Sequence, residues 1–152
     1  MNKTDKITLK IKKLNEKAIL PARATPGSAG LDLYALLDED LTIPANGRAA
    51  VPTGIAIELP DSGYAAFIFP RSGLASKHGL ALSNCVGVVD SDYRGEIKVA
   101  MINHGDNEYT VKSGERVAQM VIMPVPAVDL IEVDGLGDTE RGGGGFGSTG
   151  KE

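Results

Sequence analysis

Hydrophobic and polar residues alternate with a period of two along most of this chain, the period of half-buried strands. Residues 6–12 put Ile7, Leu9 and Ile11 on one face and Lys or Thr on the other. Residues 31–35, 51–59, 64–69, 84–90, 96–103, 109–111, 117–124 and 128–133 read as further strands. Pro70 stops the strand at 64–69, and residues 72–78 predict one short helix. Residues 84–103 read as a hairpin about the tight turn SDYRG at 91–95. Turn signals such as PANG at 44–47 recur roughly every 8–12 residues, the signature of an all-β sandwich or barrel.

The end of the chain breaks this pattern. Residues 135–152 carry almost no core-forming side chains, and glycine fills six positions of RGGGGFGSTG. Such a segment cannot bury enough apolar area to offset its backbone entropy, so it is expected to be flexible unless a ligand orders it. Its Arg141, Phe146, Ser148 and Thr149 are not linker composition. The expected organisation is one β domain over residues 1–134 and a C-terminal arm over 135–152.

Charge and cysteine content narrow the partners. A net charge of −4 argues against a polynucleotide and for a small ligand held by a few placed cations and amides. Cys85 is the single cysteine, so no internal disulfide forms and a reducing compartment is expected. No stretch approaches the roughly 20 apolar residues that span a bilayer, and the start lacks a signal-peptide core, so a cytoplasmic protein without a membrane partner is expected.

Five segments carry candidate chemistry. SAGLD at 28–32 sets Asp32 after small residues that admit close backbone approach, or it is an ordinary turn with a solvated carboxylate. Arg71, Ser72 and Gly73 stand where a strand ends and a helix begins, which suits a phosphate or simply a capping serine. In NCVGVVDSDYRG, Asp90 follows an apolar run and is expected at the end of a buried strand, as a site residue or as hydrogen-bonded structure. Tyr93 offers a flat face for a sugar. Strict alternation in RVAQ puts Gln119 on the side of Val117 and opposite Arg116. The tail supplies amides for an anion and a ring for stacking, yet it lacks the lysine and βαβ setting of a Walker loop. His78 and His104 have no partners at zinc-ligand spacing, and Cys85 has no evident base.

These segments, in this order, resemble the five motifs of the trimeric dUTPase family: SAGLDLYA, PRSGLA, NCVGVVDSDYRG, GERVAQ and RGGGGFGSTG. The resemblance runs from about residue 19 to residue 150. It implies a distorted jelly-roll β-barrel, a homotrimer with active sites shared between subunits, and residues 127–133 passed to a neighbour as a strand. It implies magnesium-dependent hydrolysis of dUTP to dUMP and pyrophosphate, which limits uracil in DNA and supplies dUMP for dTMP synthesis. Asp90 would orient and activate the attacking water; an aspartate is a weak base at neutral pH, so positioning carries much of the effect. Arg71, Ser72, Gly73 and Gln119 would hold the phosphates, and Asp32 would reach the magnesium through water. Asn84, with backbone groups around Gly87, Val88, Val89 and Lys98, would read uracil, while Tyr93 would exclude a 2′-hydroxyl. From the arm, Phe146 would stack on the base, and Arg141, Gly147, Ser148 and Thr149 would grip the γ-phosphate. The rival readings are a dCTP deaminase-like enzyme and a non-catalytic nucleotide-binding module on the same fold. The hairpin sequence and the complete glycine tail favour the dUTPase pattern.

Overall fold

A computed structural model describes residues 6–145. Its strands are β1 Lys10–Lys13, β2 Leu31–Tyr34, β3 Leu41–Ile43, β4 Arg48–Pro52, β5 Ile55–Glu58, β6 Tyr64–Phe69, β7 Leu80–Leu82, β8 Gly87–Val89, β9 Lys98–Asn103, β10 Tyr109–Val111 and β11 Arg116–Pro124. The helix α1, Ser72–His78, lies between β6 and β7. One sheet runs β2-β11-β6-β8, a second β4-β9-β7, and β1-β5 and β3-β10 form two-stranded ribbons. All the pairings are antiparallel, and the sheets do not close, as in a distorted jelly roll. No helix among the described residues is long and apolar enough to cross a membrane.

The inward positions of these strands make one core. Leu33, Ile43, Val51, Ile55, Leu80, Val99, Val111, Val117 and Met120 are fully buried there. Each contributes about 1.5–3 kcal/mol of transfer free energy, so branched aliphatics hold the fold without tryptophan. Asn103 is buried among them with its polar atoms engaged. Its amide donates to the carbonyls of Ile43 (3.1 Å) and Asn107 (2.8 Å), and its oxygen accepts the Gly105 N–H (2.9 Å). That amide knots β9 to β3 and to the turn after it.

Four sequence expectations change. The first strand pairs only from Lys10, opposite Glu58; its partner ends there, and Pro60 two residues on has no N–H to donate. Residues 51–59 are not one strand but parts of β4 and β5, broken where Gly54 turns to φ 67°. The arms of the expected 84–103 hairpin do not pair with each other: β8 bonds to β6, whereas β9 bonds to β4 and β7. Finally, residues 128–133 form no strand within the chain, and Leu130 stands 94% exposed. Around these changes β6 and α1 lie as expected, α1 ending at Gly79 with φ 70° and its N–H bonded to the Ala75 carbonyl.

Two stability predictions follow from this packing. A Cβ at Gly54 would sit 3.0 Å from the Ala18 Cβ, against Leu36, in a left-handed backbone. Gly54→Ala is therefore expected to lower the unfolding free energy by about 1–3 kcal/mol in denaturant titrations. Burial, then the hydrogen bond to Glu115, raises the Tyr109 phenol to about 12. The folded protein keeps that proton at pH values where an unfolded tyrosine, near 10, loses it. The contribution is full below pH 10 and is lost as pH climbs towards 12. Tyr109→Phe should flatten the alkaline limb of a stability–pH curve.

Candidate active site

Two pockets collect the chemistry-bearing residues. The first, about 190 Å³, is lined by Gly30, Asp32, Arg71, Ser72, Gly73, Arg116 and Gln119, with Ala24 and Ser28 at its side. Asp32 comes from β2, Arg71 to Gly73 from the junction of β6 and α1, and Arg116 and Gln119 from β11. Arg71 Nε lies 3.5 Å from Asp32 Oδ1, and Arg116 Nη1 donates to Asp32 Oδ2 at 3.0 Å. Arg71 Nη1 also donates to the Arg116 carbonyl at 3.0 Å, closing a ring of three residues. The carboxylate is 13% exposed and the Arg116 side chain 44%, so the cations face the water.

A bulge makes this set possible. Opposite β2, Arg116 pairs with Tyr34 and Ala118 with Leu33, leaving Val117 as an extra residue that turns into the core. Strict alternation would put Arg116 and Gln119 on opposite faces; the bulge brings both into one pocket. Gln119 donates its amide to the Pro70 carbonyl at 3.0 Å. A Cβ on Gly30 would lie 2.8 Å from its amide oxygen, so a larger residue here would displace the Gln119 side chain from its present position. The residue flanking α1 at its start is Arg71, with no side-chain cap bond, so Ser72 is not acting as a cap.

Two guanidinium groups against one carboxylate make this an anion site. Among the described residues, no group of three or more His, Cys, Asp and Glu gathers to hold a metal ion. With both its oxygens facing arginines, Asp32 is a poor direct ligand for a cation. The residues fit a divalent ion only as one that arrives already bound to an anion.

The second pocket, about 270 Å³, lies between the splayed arms of residues 84–100. Ile68 and Leu82 are among its apolar lining; Asn84, Gly87, Val88, Val89 and Asp90 line one arm, Glu96, Lys98 and Ala100 the other. β8 is the edge strand of its sheet, so its backbone facing the gap meets no strand among the described residues. This corrects the expectation of a buried strand before Asp90: Val88 is 58% exposed, and Asp90 is exposed at the strand's end. Tyr93 closes the turn with its ring over Gly95, where a Cβ would fall 2.6 Å from the Tyr93 Cζ. The Tyr93 hydroxyl donates to the Glu96 carbonyl at 3.0 Å.

The structure thus sorts the expected residues into two groups that share no lining residue. Asp32, Arg71, Ser72, Gly73 and Gln119 form the anion pocket; Asn84, Gly87, Val88, Val89, Asp90, Tyr93 and Lys98 form the other. Arg141 lies in neither, its Nε donating to the Gly144 carbonyl at 2.9 Å. Phe146, Gly147, Ser148 and Thr149 lie outside the described residues. Arg116 and Glu96 were missed from sequence. Arg116 stood inside GERVAQ, but its direction depends on the bulge.

The fold is thus an antiparallel β domain with an anion grip and, apart from it, a second pocket of mixed polar and apolar lining. The dUTPase family profile matches residues 16–150. Deoxyuridine 5′-triphosphate nucleotidohydrolase of Desulfitobacterium hafniense (strain DSM 10664 / DCB-2) is 60% identical over 131 residues, covering 86% of this chain and 87% of that protein. The protein of the same name from Nautilia profundicola is 53% identical, covering 94% of this chain and 99% of the relative. A solved structure of a Staphylococcus bacteriophage 80alpha dUTPase mutant with dUpNHpp superposes with a TM-score of 0.85 at 28% identity, covering 94% and 98% of the two chains. The chain belongs to the dUTPase family; it is a hydrolase of nucleotide metabolism.

The anion pocket can be tested without turnover. Arg116→Gln is expected to weaken pyrophosphate binding by about tenfold at low ionic strength, with the gap narrowing as salt rises. Isothermal titration reads both effects.

Proposed function

We propose that this enzyme hydrolyses dUTP to dUMP and pyrophosphate with magnesium, in sites that combine the second pocket of one subunit with the anion pocket of another. The carrying observation is the division of the expected residues between two cavities. One has an aspartate, an aromatic face and the unpaired edge of β8 but no arginine; the other has two arginines but nothing shaped for a base. A triphosphate needs both. A head-to-tail contact in which each copy offers one pocket to the next closes a ring, and three copies make the homotrimer that the family resemblance implies.

In this reading Asn84 and the main chain around Gly87, Val88, Val89 and Lys98 pair with the uracil edge. The gap between the arms excludes a 5-methyl group, and the Tyr93 ring packs under deoxyribose where a 2′-hydroxyl would collide. Arg71, Ser72, Gly73 and Gln119, joined by Arg116, hold the phosphates. Asp90 accepts a proton from a water aimed at the α-phosphorus; the new P–O bond forms as the bond to the bridging oxygen breaks and pyrophosphate leaves. Asp32, through water, would help hold a magnesium ion that arrives with the triphosphate, and that ion would supply charge neutralisation there. The apolar side chains of residues 128–133 are exposed, which supports their exchange with a neighbour. The 135–152 arm, through Arg141, Phe146, Gly147, Ser148 and Thr149, then closes over a site. The setting is cytoplasmic, and the metabolic role is to keep uracil out of DNA while supplying dUMP.

The test is pyrophosphate release with dUTP, dCTP, dTTP and UTP in parallel. Release from dUTP alone supports the reading; equal release from all four sinks the selectivity, and none sinks the activity. Asp90→Asn should keep dUTP affinity while lowering kcat by about 10²–10⁴-fold, and wild-type turnover in that variant would remove Asp90 from the mechanism.

A further inference from the structure

The far arm of the second pocket is held from behind. Thr53 and Gly54 occupy the break between β4 and β5, and three hydrogen bonds tie that region to residues 96 and 97. The buried Thr53 hydroxyl donates to the Ile97 carbonyl at 2.6 Å, and the Ile97 N–H donates to the Ile55 carbonyl at 2.9 Å. The Gly54 N–H donates to Glu96 Oε1 at 2.9 Å. The other Glu96 oxygen lies 3.6 Å from Lys98 Nζ, and its main-chain carbonyl receives the Tyr93 hydroxyl. Gly54 is itself pinned, accepting the Leu14 N–H at 2.8 Å. Glu96 therefore joins the start of β9 to a fixed point in the fold through its carboxylate, and meets the Tyr93 turn through its main-chain carbonyl.

Two of these contacts compete as the reason for a carboxylate here. The Lys98 pair is long, and the lysine is more than half exposed, so water and salt screen it. The Gly54 N–H is partly buried and meets a charged acceptor; removing that acceptor leaves a donor without a partner. The Gly54 bond is the stronger of the two. We propose that Glu96 is a positioning residue for substrate selection, holding residues 96–98 against Gly54 and so setting the width of the gap facing Asn84 to Asp90. The inference rests on the dUTP reading above.

The experiment compares wild type, Glu96→Ala and Glu96→Gln in dUTP and dTTP hydrolysis at low and high salt, with thermal unfolding as a control. Glu96→Ala is expected to raise KM for dUTP about tenfold, to change kcat by less than about threefold, and to narrow the preference over dTTP about tenfold. The Glu96→Gln amide oxygen still accepts the Gly54 N–H, so KM and preference should return to within about threefold of wild type at either salt. If Glu96→Ala does not fold, the Glu96→Gln values decide. A Glu96→Gln enzyme as impaired as expected for Glu96→Ala, with the deficit shrinking in salt, would assign the role to the Lys98 pair and overturn the proposal. Equal KM and preference in all three proteins would overturn it too, leaving the dUTPase reading intact. A wild type that hydrolyses no dUTP would remove that reading and the proposal with it.

Discussion

The arms of residues 84–100 form their hydrogen bonds outward, to different sheets, and much else in this molecule depends on that choice. β8 is held by β6, while β9 is held by β4 and β7. Had the arms paired with each other, backbone donors and acceptors would be satisfied across the gap and no cavity would remain. Splayed apart, they leave the edge of β8 without a strand partner among the described residues, beside a space of about 270 Å³. The main-chain groups of such an edge are strong and need partners, so a ligand with its own donors and acceptors at matching spacing completes the sheet edge. A pyrimidine edge has that character. In the proposed enzyme, selectivity is a property of backbone placement, and the break at Gly54 matters because it fixes one side of the gap.

The anion pocket rests on a different constraint, the partial neutralisation of charge. Unpaired arginines side by side would repel each other and wander in solvent. Asp32 between Arg71 and Arg116 orients both, and the Arg71 bond to the Arg116 carbonyl fixes their spacing. The carboxylate removes part of the positive field but leaves a surplus for a phosphate. Glycine at position 30 admits the Gln119 side chain, whose amide is held by Pro70. The pocket is preorganised by contacts within this chain, so less ordering remains to be done when an anion arrives.

Local signals made part of this legible from sequence. The apolar run of β6 ending at Pro70, and α1 ending at Gly79, were readable because a proline and a left-handed glycine act on their own neighbours. The described residues that the motif segments single out, Arg141 excepted, lie along the two cavities. What stayed hidden depended on distant partners. The direction of Arg116 is decided by a bulge against β2, and Val117 betrays nothing of it by its identity. The splaying of the arms depends on strands up to about 50 residues away in sequence, so an alternating pattern with a tight turn reads as a hairpin either way. The strand break did leave a trace: an isolated glycine at 54 inside an apolar run is a common mark of a bend.

The overall charge gains a meaning at this scale. A chain at −4 repels polyanions at long range, where many phosphates would have to be accommodated at once. A compact anion presents its charge at one place, where the local positive surplus of Arg71 and Arg116 outweighs the overall charge. Beyond a Debye length of about 8–10 Å the acidic surface is screened; within it, the pocket's own cations dominate. A mildly acidic exterior and a small cationic pocket thus act over different distances, the first disfavouring extended polyanions and the second favouring one compact anion.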